Sequence, residues 1–159
     1  MPMHRFAWFV FGAALAAPAS AQLINHKDLS LATALTIATT AADTCKARGN
    51  RVSVTVVGRE GQVLVVLRGD NASPHTVENS RRKAYTARTF RVPSGEIAKR
   101  VKDNPTLGLV HLPDVIALQG ALPIKVGDAV GVSGAPGGDK DEACAKAGID
   151  RDLHSERAR

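Results

Sequence analysis

Aromatic side chains almost disappear from this sequence after position 11: Phe6, Trp8, Phe9 and Phe11 open it, and only Tyr85 and Phe90 follow. Single-strand nucleic-acid binders stack bases on several aromatic rings. Two rings on one predicted helix exclude such a platform, although the formal net charge is +6. Any core must be aliphatic, built from Val, Leu, Ile and Ala. Cysteine is as scarce, with Cys45 and Cys144 alone, and two thiols at that spacing without clustered histidines match no zinc pattern. No HExxH, nucleophile elbow or Ser-His-Asp arrangement occurs, so classical hydrolase chemistry has no support. The sequence assigns no catalytic residue.

Long apolar runs are also missing, except Phe6 to Ala17. A basic head (His4, Arg5) precedes that run and Pro18-Ala19-Ser20-Ala21 follows it, the layout of an export signal that is too short to span a bilayer. Residues 1–21 therefore read as a signal peptide, and no cysteine follows the cleavage site to take a lipid. The mature chain is expected in the periplasm or outside the cell. Without Arg5 it keeps 20 Lys and Arg against 15 Asp and Glu, a net +5 spread along its length. The remainder suits one compact domain. Residues 22–28 form an N-terminal segment, 29–150 the domain, and 151–159 a polar tail.

Leu31, Ala34, Leu35, Ala38, Ala42 and Cys45 follow helical spacing, with Ser30 or Asp28 as cap and Gly49 as stop. "RVSVTVV" and "QVLVVLR" flank Gly58-Arg59-Glu60-Gly61 as a hairpin. Ser73-Pro74 then opens a second helix, which carries "SRRKAYTARTF". A short helix from about Ser94 to Lys102 leads into irregular chain, and "VIALQ", "LPIKV" and "AVGVSG" read as strands. The last helix starts at Asp139, with Glu142 reaching back as a capping box, and ends at Gly148. This order predicts an α+β layer fold, a mostly antiparallel sheet of about five strands with the terminal helices on one face. That layout brings Cys45 and Cys144 together as a disulfide, expected in an oxidising compartment; the alternative is two buried thiols that never meet.

The glycine-rich "GVSGAPGGDKDEA" invites a phosphate-cradle reading but lacks both the dinucleotide and Walker patterns. Asp139, Asp141 and Glu142 crowd its helix start, where they satisfy the helix dipole and would repel phosphate. A strand-to-helix turn needing positive φ at Gly137 or Gly138 accounts for the glycines. Of the histidines after the signal, His26 and His154 lie near the ends, while His75 opens the second helix and His111 sits in irregular chain. On the second helix Ser80, Ala84 and Ala87 make a small-residue face, and Arg81, Tyr85 and Arg88 make another. A small face suits a flat group or another backbone, and the cations suit carboxylates. Arg81 and Lys83 point about 200° apart, so at most one faces any single pocket.

"LSLATALTIATTA", "VSVTVVGREGQVLVVLRGDNA", "SRRKAYTARTF", "LQGALPIKV" and "AVGVSGAPGGDKDEACAKAGI" together resemble the GlcG/HbpS haem-binding-like family, also found as the C-terminal domain of PduO proteins. The resemblance spans Leu29 to Ile149, and "KAYTA" and the "GVSG…DE…A..G" ending are its most specific parts. It implies a profilin-like or PAS-like sandwich, assembly into oligomers, and binding of haem or another tetrapyrrole. It implies that Lys83, Tyr85 and Thr86 sit at a functional or assembly surface. The sequence departs from the family pattern at Ala121, where a second glycine is common and a methyl would narrow the pocket rim. It departs again after Pro93, where Ser-Gly-Glu replaces a Thr-rich turn.

Several readings result. The first is an exported homo-oligomer that binds or handles haem, with Arg81 and Lys83 as candidate carboxylate partners, Tyr85 as a planar wall, and His75 or His111 as axial iron ligand. The second is a small-molecule sensor or accessory module that docks to a membrane partner. The third is an enzyme acting on a small organic acid or degrading haem. No nucleic-acid partner is expected.

Overall fold

The computed structural model describes residues 24–125 and 127–157, with side chains as far as Arg151. The signal expected at Met1–Ala21 and the side chain of His154 lie outside the described residues. Helix α1 (Leu31–Ala47) starts at Ser30, whose hydroxyl accepts from the Thr33 amide at 3.1 Å. Strands β1 (Ser53–Val57) and β2 (Val63–Arg68) form the expected hairpin. Helix α2 (His75–Phe90) begins one residue past Pro74. Ser73 serves it through its carbonyl, which accepts the Thr76 amide at 3.0 Å and hydroxyl at 2.7 Å, rather than through its side chain. Helix α3 (Ser94–Asp103), a 3-10 turn at Gly108–His111, β3 (Ala121–Pro123), β4 (Ala129–Ser133) and α4 (Gly138–Arg157) complete the chain.

The antiparallel sheet has the order β2-β1-β4-β3. Both faces of its centre are covered, so all five residues of β1 are buried. Val54 and Val56 join Ala34, Ile37, Ala38 and Cys45 of α1, with Cys144 and Ala145 of α4, in the main aliphatic core. Ser53, Thr55 and Val57 turn to α2 on the opposite face. The Val/Ser-Thr alternation therefore separates two buried faces of different polarity, not core from solvent.

Three expectations are corrected. "VIALQ" is not a strand, and the sheet has four strands rather than five. Its backbone polar groups are met by helix side chains instead of a strand: Arg82 Nη2 donates to the Val115 carbonyl at 2.6 Å, and the Ile116 amide donates to Thr86 Oγ1 at 2.9 Å. Gly148 does not end the last helix, which runs on to Arg157. A Cβ there would press on the Ile37 carbonyl and Ala41, so this glycine lets α4 lie close against α1. Glu142 does not reach back to its helix start; it accepts from Gln119 Nε2 at 3.2 Å.

The terminal helices share one face as expected, and Cys45 and Cys144, both fully buried, are joined with Cα atoms 5.7 Å apart. The bridge ties positions 99 residues apart. Closing so long a loop restricts mainly the unfolded chain, and losing a native bridge in a small domain typically costs 2–5 kcal/mol. The double variant Cys45→Ala/Cys144→Ala is expected to lose stability in that range in denaturant unfolding. Non-reducing mass analysis of the parent should find the two peptides linked, and two free thiols in protein made under oxidising conditions would refute the pairing.

Candidate functional site

Positions 76, 80, 83 and 87 of α2 recur at helical spacing and all face the sheet, buried. The first two meet strand hydroxyls: Thr76 with Ser53 and Ser80 with Thr55, each at 2.8 Å. Such short side chains let the helix axis come close, and β4 accommodates it with Gly131. A Cβ at Gly131 would overlap the Ser80 carbonyl and come within 2.7 Å of the Ala84 nitrogen. The small face Ser80, Ala84 and Ala87 is thus filled by the chain's own sheet, and neither a flat ligand nor a second subunit reaches it.

Lys83 lies on this inner side, one turn beyond Ser80. Its ammonium donates to the Val132 carbonyl at 3.1 Å and to Asp141 Oδ2 at 2.8 Å. The other Asp141 oxygen accepts from the Ala135 amide at 2.9 Å. Both side chains are nearly sealed, 5% and 4% exposed. Burial pushes the Asp141 carboxyl above its usual value, while the Lys83 ammonium and the Ala135 amide pull it back. The pair lines a cavity of about 280 Å³. Ser73, His75 and Thr76 from the start of α2, Leu118 and Gln119, Ser133 at the end of β4 and Gly138 at the start of α4 supply its walls. The N-terminus of α2, the hydroxyls of Ser73 and Ser133 and the His75 imidazole suit an anionic oxygen group at the mouth, whereas the carboxylates in the first turn of α4 disfavour one at that helix end.

Of the residues read from the sequence, His75 and Lys83 come together here. Arg81 points away, as its angle to Lys83 requires, and bonds Glu78 at 2.7 Å and Asp114 at 2.6 Å. Those hydrogen bonds raise the Arg81 guanidinium further and hold the Glu78 carboxyl below its usual value. Thr86 is buried and fastened to Arg82 and Ile116. Tyr85 lies against Gly61 in the β1–β2 turn, where a Cβ would stand 2.7 Å from the ring. His111 closes the 3-10 turn, exposed, and does not line the cavity; neither does His26. Ala121 is fully buried under α2 rather than at a rim, and its amide donates to Ser94 Oγ at 3.0 Å. The two departures from the family pattern therefore touch each other.

Asp141 is the residue that sequence reasoning missed, having read it as one of several carboxylates complementing a helix dipole. The signal was Lys83 itself: a lysine on the small-residue face must find an acceptor inside the protein.

The family model described as "Haem degrading protein HbpS-like" matches residues 29–150. The chain belongs to the HbpS-like family. A double mutant of HbpS from Streptomyces reticuli is 38% identical, with 86% of this chain and 97% of that one covered and a TM-score of 0.77. The Klebsiella pneumoniae protein ORFY is 26% identical, with 87% and 98% covered and a TM-score of 0.75. At 21% identity, a PduOC:haem complex shares the fold, with 77% and 93% covered and a TM-score of 0.69. No curated protein matches the chain.

Within this HbpS-like domain, removing one partner of the buried pair leaves an uncompensated charge, which costs about 3–5 kcal/mol. Lys83→Met and Asp141→Asn are each expected to lose that much in denaturant unfolding. Lys83→Met/Asp141→Leu should lose clearly less than the sum, since no lone charge remains. Additive losses would show that the two side chains do not act as a unit.

Proposed function

We propose that the protein is an exported haem-binding protein, with the tetrapyrrole seated over the mouth of the Lys83 cavity and its iron ligated by His75. The observation that carries this reading is the position of His75, exposed at the start of α2 and lining the same cavity as Lys83, with Leu118, 43% exposed, also in its lining. The residues fit the group in kind. An accessible imidazole offers the iron a ligand, Leu118 offers the ring an apolar contact, and the α2 N-terminus and nearby hydroxyls offer a propionate its donors. The cavity admits a propionate or a ring edge, and the rest of the macrocycle would lie over the surface. Membership of the HbpS-like family supports a haem ligand, as does the shared fold of the PduOC:haem complex. Arg81, Tyr85 and Thr86 then hold the walls and turns around the site instead of touching the ligand.

Export is supported by the signal-like opening and by the disulfide, which persists in oxidising compartments. No helix among the described residues is long and apolar enough to cross a membrane. Self-association has to use a surface other than the small face of α2. We assign it to the apolar groove of about 660 Å³ between the edge strand β3 and α4, lined by Leu122, Pro123, Ile124, Ala143 and Ile149 among others. Light scattering at micromolar concentration should give a mass of at least two chains, and Leu122→Asp should shift it toward one. A strictly monomeric parent would refute this assignment.

Titration of the purified parent with haemin should produce a shifted Soret band. His75→Ala should weaken binding at least about tenfold, 1.4 kcal/mol, and change the band position, while His111→Ala should match the parent. No Soret shift in the parent would overturn the haem reading. Equal binding by His75→Ala would overturn the assigned ligand alone.

A further inference from the structure

The sheet ends on one side at β3 and on the other at β2. An unpaired edge invites another strand, and proteins guard such edges with short length, charges or proline. β3 is guarded, with three residues of which the last is Pro123. β2 has six, and Val63 to Leu67 include neither a charge nor a proline. The register shift between Val56 and Val57 disturbs only its start, and Val65 to Arg68 pair regularly with β1.

The direction of its free backbone groups follows from one bond. The Gly69 amide donates to the Val52 carbonyl at 2.9 Å, just beyond the pair formed by Ser53 and Arg68. Bonded and non-bonded pairs alternate along an antiparallel ladder. Leu67 and Val65 therefore bond β1, while Val66 and Arg68 turn their amides and carbonyls outward. Among the described residues no group bonds these outward amides and carbonyls.

Apolar side chains gather along the same edge. Val66, opposite Thr55, lies on the α2 face of the sheet and is 41% exposed. On the other face, Thr39, Ala42 and Lys46 of α1 border β2 across a groove shared with Leu67 and Arg68. Leu31 and Leu35 continue that side of α1 at helical spacing, and they are 67% and 45% exposed.

We infer that β2 is a second self-association face, where β2 of another copy pairs antiparallel about a two-fold axis. Only a strand offers acceptors and donors at the spacing of this edge, and the edge is its own complement. With Val66 opposite itself, its amide and carbonyl exchange two bonds with those of the other copy. Arg68 then falls across from Leu64 and Asp70 across from Gln62, so no like charges oppose one another. The exposed stripes of the two α1 helices lie on one face of the continuous sheet, beside the junction. Such a contact buries the same patch on both copies and closes on itself. The groove beside β3, at the far edge of the sheet, stays free for the contact assigned to it above. The inference rests on neither that groove nor the haem reading.

The test is the mass of the full protein by analytical ultracentrifugation at micromolar concentration. Leu122→Asp removes the groove contact and is expected to leave pairs of chains. Leu122→Asp/Val66→Lys sets two like charges face to face on the axis and should give single chains, an about twofold fall in mass. Leu122→Asp/Val66→Pro should do the same, because proline deletes an outward amide and leaves the bonds to β1 in place. Leu122→Asp/Val66→Thr keeps both the backbone groups and a β-branched side chain and should still pair. Hydrogen exchange reads the same contact without a substitution: in the assembled parent the Val66 amide should exchange as slowly as that of Leu67, which bonds β1. Free exchange of the Val66 amide in the assembled parent would overturn the inference. Single chains for Leu122→Asp alone, or pairs that survive Val66→Lys, would overturn it as well.

Discussion

A lysine ammonium buried where α2, β4 and α4 converge sets the terms for everything around it. It bonds the last-but-one carbonyl of β4 and a carboxylate in the first turn of α4, and that carboxylate in turn holds the Ala135 amide of the intervening loop. A charge so placed is tolerated only when its bonds are made. The glycine-rich loop after β4 must therefore deliver Asp141 to this point, and the first turn of α4 is tied to the middle of α2. The cavity beside His75 is the space left between two helix ends held in this way.

The two faces of the sheet meet their helices by different chemistry. On the α1/α4 side the contact is aliphatic, tightened by alanines, Gly148 and a covalent bridge. On the α2 side, hydroxyl pairs and a glycine bring a polar helix face almost onto the strands. Hydroxyl pairs add modestly to stability, about 1 kcal/mol each, yet an orphaned partner would cost more. Ser94 belongs to the same scheme, its buried hydroxyl meeting the amide of Ala121 on the edge strand. That side tolerates polarity because its buried hydroxyls are matched.

Most elements were legible because their signals are local. The hairpin, the span of α1 and the terminal-helix disulfide follow from spacing and from the layering of elements. Of the expected α1 stripe, however, only Ala34, Ala38 and Cys45 are fully buried, while Leu31 and Leu35 are exposed and Ile37 and Ala41 face the core. Family motifs added the sandwich. The failures share one cause, a local signal overridden by a distant partner. "VIALQ" has the residues of a strand, but Arg82 and Thr86 reach its backbone first. Gly148 looks like a helix stop until α1 is seen to need its missing Cβ. In the site, Lys83 and His75 were visible as residue types, whereas Asp141, 58 positions from Lys83, became visible only once folding paired them.

The chain from Asp114 to Ile116 is secured to α2 by Arg81, Arg82 and Thr86, and none of these bonds belongs to the strand ladder. The same stretch continues into Leu118 and Gln119 at the cavity wall. Local opening costs only the contacts it breaks. This wall is held by three side-chain ties and by the burial of Val115, none of them part of the strand ladder, so exchange of the Ile116 amide would report those contacts rather than the pairing of the sheet. Access to the cavity is in that sense separable from the integrity of the fold.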